Sequence, residues 1–90
     1  MYKYQDLINI TAKLRSEGGC PWDRAQTHES LKPYLAEEAG EVLPAIDSKD
    51  MENLCEEPGD VLFTGMIHSQ IAAEAGDVNL EDVLDGICDQ

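Results

Sequence analysis

Residues 37–43 read EEAGEVL and residues 56–62 read EEPGDVL. Both stretches set two adjacent carboxylates, a glycine, a third carboxylate and two apolar residues in the same order. At about 100° per residue, a helix puts Glu38 in the middle of the stripe formed by Leu31, Leu35, Val42 and Ala45, with Glu41 one turn along at its edge. Glu57 shares a face with Val61 and Thr64, and Asp60 stands beside it at the three-residue step that brings helical side chains together. Four carboxylates are therefore expected to converge between two helices.

The flanking sequence supplies the other elements. Tyr4, Leu7, Ile8, Ile10 and Leu14 recur at three- and four-residue steps and predict a first helix. The stretch SEGGCPWDRAQTHES reads as a loop, with Thr27 or Ser30 as the cap of the next helix. A second stripe runs from Leu31 to Ile46. After a polar break at Asp47 to Asp50, a third runs from Leu54 to Ala75 and ends at Gly76, where a left-handed residue is cheapest. Asn79 caps a fourth helix, LEDVLDGICDQ. No segment alternates as a half-buried strand does. The reading is all-α: one domain over residues 1–90, a four-helix bundle. Pro44 falls inside the second helix, and Pro58 is comfortable only if the third begins near Glu57.

Composition limits what such a bundle can do. The formal net charge of −13 argues against nucleic acid and anionic membrane surfaces as partners, because both are polyanions that need Lys and Arg. An anionic substrate would need a bridging cation. No signal peptide and no apolar run of about 20 residues is evident, and Cys20, Cys55 and Cys88 suit neither a disulfide framework nor a zinc site. A reduced cytoplasmic location is expected. A chain of 90 residues buries only about 60% of its unfolded surface, which makes a homodimer or higher homo-oligomer a reasonable expectation. Leu43, Leu62, Phe63 and Ile67 extend beyond one helix face and are expected in that subunit interface.

Carboxylates gathered on inward faces need a cation or protons, since burial and like charges both oppose ionisation. Of the six Lys and Arg, five precede residue 33 and none follows Lys49. An oxygen-only ligand set selects a hard divalent ion, and Mg²⁺ takes substrate phosphates alongside a few carboxylates. There is no GxxxxGK[ST] phosphate loop and no recognisable nucleophile arrangement. Trp22, with Asp23 and Gln26, either lines a nucleobase pocket or closes the bundle end. Arg15, Arg24 and Lys32 either meet phosphates or are solvated surface charge. His68 reads as a core histidine.

Taken in order, CPWD, QT, SLxPY, EExxE, ExxD and GDVLF resemble the MazG branch of the all-α nucleoside triphosphate pyrophosphohydrolases, over Leu14 to Asp89. The resemblance implies a helical homodimer in which Mg²⁺, with Mn²⁺ as the alternative ion, binds a nucleoside triphosphate that water cleaves to the monophosphate and pyrophosphate. By position it implies Glu38, Glu41, Glu57 and Asp60 as metal ligands, and Glu37 as an outer ligand or the base that orients water. It also implies a basic segment after Gln90, so that the domain is expected to be short at its C-terminus. Gly40 stands where similar sequences carry an aromatic residue. The other function class open to this sequence is a noncatalytic metal- or nucleotide-binding dimerisation module.

Overall fold

Four helices begin where a side chain satisfies backbone N–H groups that the helix itself cannot. Asp6 accepts from the Lys3 N–H at 2.8 Å, and α1 (Tyr4–Leu14) starts between them. The chain then turns through Gly18, at φ 80°, and Gly19, whose missing Cβ leaves room for the Lys13 and Leu14 carbonyls. The computed structural model describes all 90 residues.

The expected loop contains a helix. α2 (Pro21–Ala25) opens on Pro21, whose fixed φ and absent N–H suit a first position. At five residues it is too short to show periodicity, so the chain has five helices where four were expected. Thr27 caps α3 (His28–Ser48), accepting from Ser30 N–H at 3.1 Å, while Ser30 Oγ accepts from Thr27 N–H at 2.8 Å.

α3 runs through both Pro33 and Pro44 and ends at Lys49, the one non-glycine residue at positive φ. The break to α4 (Met51–Glu74) is therefore only Lys49 and Asp50, tighter than the polar sequence suggests. Asp50 caps α4 through the Asn53 N–H at 3.2 Å. The helix therefore begins before the Leu54 stripe and not near Glu57, where Pro58 would have been comfortable: Pro58 lies inside α4, two turns from its start. The good cap and the packing of α4 against α3 offset an interior proline that costs about 3 kcal/mol. Gly76, at φ 76°, closes α4 as expected, and Asn79 caps α5 (Leu80–Cys88).

Joined by two residues, α3 and α4 pack antiparallel as the central hairpin, and α1 and α5 pack on α4. Leu31 and Ala45 of α3 and Ile67 and Ala72 of α4 are the buried apolar residues of a thin core, where only seven residues are buried and no large side chain is wholly enclosed. Two buried hydroxyls are satisfied within their helices, Thr11 by Leu7 O and Thr64 by Asp60 O. The radius of gyration, 14.2 Å, exceeds the about 12 Å of a compact domain this long.

Two residues expected at a subunit interface belong inside instead. Ile67 is 4% exposed in the core, and Phe63 is half-buried against a cavity. Leu43 and Leu62 do face outward, and so does Ile46, which the sequence places in the apolar stripe of α3. No helix is long and apolar enough to cross a membrane.

Candidate functional site

The helical phase that aims Glu38 inward also aims Glu41, one turn on, at the same gap; Glu57 reaches it from α4. Carboxylate oxygens of these three residues all lie within 4.8 Å of one another. One oxygen each of Glu38 and Glu57 is buried without any hydrogen-bond partner. No cation answers them, since the single ion pair of the chain, Arg15 with Glu74, lies elsewhere.

Burial and like charge both raise the proton affinity of this group. Burial first, then the charges of Glu41, Asp60 and Glu37, hold the Glu38 carboxyl above its ordinary range. The Glu57 carboxyl is pushed up to about 7, chiefly because it shares a proton with Glu41, and then because of burial and the charges of Glu41, Asp60 and Glu38. Orphaned oxygens, an all-carboxylate donor set and raised proton affinity fit a hard divalent cation, which would replace the proton and satisfy the bare oxygens. Asp60 is not among the three converging residues; it stands against Glu38 as a hydrogen-bonding neighbour. Glu37 is exposed, yet near enough for its charge to bear on Glu38.

Beside the carboxylates is a cavity of about 160 Å³, lined by Trp22, Leu31, Tyr34, Phe63, Thr64 and Ile67, with Glu38 and Asp60 in its wall. Trp22 packs edge-on against Tyr34, with ring centroids 5.8 Å apart and planes at 89°. The site is thus apolar at one end and anionic at the other. Tyr34 and Phe63 were not singled out from sequence, although Tyr34 lies four residues before Glu38 and Phe63 three after Asp60, the steps that share a helical face.

The other residues singled out from sequence fall in different places. Gln26 does not line the cavity; its amide donates to Trp22 O at 3.0 Å and accepts from Ser30 Oγ at 2.8 Å, bracing the α2–α3 junction. Arg15, offered as a phosphate contact or a surface charge, is engaged as a structural clamp. Its guanidinium, 8% exposed, donates to both Glu74 oxygens at 2.9 and 3.0 Å and to the carbonyls of Asp23 and Gln26 at 2.6 and 3.0 Å. Arg24 and Lys32 are exposed, make no ion pair and lie outside the cavity wall. Asp23 is buried in α2.

A family model, the MazG nucleotide pyrophosphohydrolase domain, matches residues 26–90. The chain belongs to this family. The matched span of the MazG domain carries Glu37, Glu38, Glu41, Glu57 and Asp60 and leaves Trp22 outside. The chain is 53% identical over 81 residues to the nucleoside triphosphate pyrophosphohydrolase/pyrophosphatase MazG of Thermotoga maritima, covering 90% of this chain and 32% of that protein. It is 40% identical over 91 residues to the nucleoside triphosphate pyrophosphohydrolase of Escherichia coli, covering 100% of this chain and 35% of the relative. An uncharacterized Bacillus subtilis protein, YabN, is 42% identical over 89 residues, 99% of this chain and 18% of its own length. This MazG chain thus spans about a third or less of each of these relatives.

Proposed function

We propose that this MazG domain is a Mg²⁺-dependent nucleoside triphosphate pyrophosphohydrolase, with Mn²⁺ as an alternative ion. The observation that carries the reading is the convergence of Glu38, Glu41 and Glu57, with two buried oxygens lacking any partner, at the mouth of an aromatic cavity. Glu38, Glu41 and Glu57 would hold the ion, with Asp60 orienting Glu38. When bound, the ion supplies charge neutralisation of the phosphate oxygens and polarisation at the α-phosphorus.

The chain's own groups supply the rest. Trp22, Tyr34 and Phe63 offer ring faces and edges to a nucleobase, while the carboxylate end excludes free anions and admits a triphosphate only with its cation. Glu37, exposed and adjacent to Glu38, would accept a proton from the attacking water. Oxygen of that water bonds to the α-phosphorus, the bond from that phosphorus to the α–β bridging oxygen breaks, and nucleoside monophosphate and pyrophosphate leave. Exposed Arg24 and Lys32, which make no ion pair, would meet the outer phosphates.

The thin core, the extended radius and the outward Leu43, Ile46 and Leu62 support a homodimer, in which a second copy covers that face. A nucleotide panel assayed for pyrophosphate release, with and without Mg²⁺, tests the proposal. Release from at least one nucleoside triphosphate only with the metal is expected. Magnesium binding without turnover on any nucleotide would favour the noncatalytic module.

A further inference from the structure

Two histidines outside the carboxylate site meet across the hairpin. His28 is the first residue of α3 and His68 lies in the last third of α4, 40 residues on. Their Nδ1 atoms are 2.8 Å apart, and their rings are parallel to within 5° with centroids at 5.1 Å. Two ring nitrogens at that distance require one hydrogen between them, so one ring donates and the other accepts. The pair therefore holds two or three hydrogens on its four nitrogens. A fourth would set N–H against N–H and part the rings.

The far side of the pair is dry. His68 Nε2 is buried with no partner, so that ring gains a second charge only at the expense of desolvation, and burial together with His28 lowers its affinity for a proton. A metal is not indicated, since the one cluster of three candidate ligands in the chain is the glutamate set.

The contact occupies a particular place. Leu31 follows His28 by three residues and is 3% exposed; Thr64 and Ile67 precede His68 by four and one and are both buried. All three line the cavity beneath Trp22 and Tyr34. We propose that His28 and His68 are a positioning pair, a proton-sensitive latch that clamps the first turn of α3 onto α4 and so holds the cavity wall in its binding shape. The latch is closed while the pair carries at most one charge and opens when both rings are protonated. Its consequence for nucleotide binding rests on the function proposed above; the latch itself does not.

Other ionisable groups on the surrounding elements are Arg15 of α1 and Glu74 of α4, which neutralise each other, Asp23 and Arg24 of α2, and Glu29 and Lys32 beside His28 on α3. The carboxylates Glu38 and Asp60 stand in the cavity wall with Glu41 and Glu57 beyond, and the Glu38 and Glu57 carboxyls are held above their ordinary range. A comparison of wild type with His28→Phe separates these, because Phe keeps a ring at that position, removes the shared hydrogen and leaves every carboxylate in place.

The test uses ¹⁵N-labelled full chain without nucleotide, followed by long-range ¹H–¹⁵N spectra and Trp22 fluorescence from about pH 8 to about pH 5. At the upper end one histidine should be the Nδ1–H tautomer and its partner bare at Nδ1. His68 should titrate below the ordinary 6.5, with the Leu31, Thr64 and Ile67 amides and Trp22 emission moving at the same midpoint. In His28→Phe that component of the transition should be lost, and His28→Gln should behave likewise. In nucleotide assays, the rise in KM on acidification should be smaller in the variants than in wild type, with kcat keeping the wild-type pH profile. Two Nε2–H tautomers titrating independently, or a Trp22 transition unchanged in both variants, would overturn the latch. These spectra decide it whether or not the protein hydrolyses any nucleotide.

Discussion

Binding of Mg²⁺ should be strongly pH-dependent near neutrality, because the ion must displace a proton from Glu57. That carboxyl lies at about 7 instead of 4.5, with the proton shared toward Glu41. For a ligand of this affinity the fraction free to coordinate falls by roughly tenfold between about pH 8 and about pH 6, and the apparent association constant falls with it. An ordinary glutamate would leave the constant nearly unchanged over the same range. Calorimetric titration of the wild type at those two pH values reads the ratio directly. In Glu57→Gln, which can still hydrogen-bond to Glu41 but has no proton to give up, binding should be weaker at both and the ratio should collapse toward one.

The metal-free protein should show the complementary effect on stability. A folded-state pKa raised above the unfolded one favours folding below about 4.5 and loses that contribution as pH rises through about 7, so apo wild type should melt lower at pH 8 than Glu57→Gln does. Equal Mg²⁺ affinity at pH 6 and pH 8 in the wild type would refute the shared-proton arrangement.

Mg²⁺ should raise the melting temperature in proportion to the logarithm of its concentration, an effect lost in Glu38→Gln, as differential scanning fluorimetry would show. Arg15→Ala should lower stability by about 2–3 kcal/mol in denaturant titrations, because it strands the Asp23 and Gln26 carbonyls as well as Glu74. Arg15 holds the Glu74 carboxyl below its usual range, so wild type should also lose stability as pH falls below about 4.5, more than Arg15→Ala does. Gly19→Ala should destabilise by about 1–3 kcal/mol, since a Cβ there strikes the Lys13 and Leu14 carbonyls, whereas Gly65→Ala, with open space, should not. Trp22→Ala should raise KM for nucleotides by roughly tenfold, a loss comparable to one base stack, with a smaller effect on kcat.

What could be read from the sequence follows from how each feature is encoded. Helical phase alone brought Glu38, Glu41 and Glu57 to one gap, because the 3.6-residue period is local and the hairpin connection is short. The same local reasoning found the caps at Thr27 and Asn79 and the glycine stop at Gly76. It missed α2, too short for any period, and left the start of α4 between Asp50 and Glu57, because Pro58 pulled against the apolar stripe that begins at Leu54. The Arg15 clamp could not be foreseen because its partners are distant in sequence: Glu74 lies 59 residues away, and two others are backbone carbonyls that any residue would carry. The histidine pair, 40 residues apart, had no local signal either. Ile67 was sent outward because its phase satisfies two faces of α4, and only the packed hairpin decides between them.

The most direct test of the account is pyrophosphate release by wild type, Glu41→Gln, Glu57→Gln and the double variant, measured with saturating Mg²⁺ on whichever nucleotide wild type hydrolyses. If the three glutamates act as one ion-binding unit, each single variant should lose nearly all activity while remaining helical by circular dichroism, and the double variant should be no worse than the weaker single. Near-wild-type release by either folded single variant, or losses that simply multiply in the double, would contradict it.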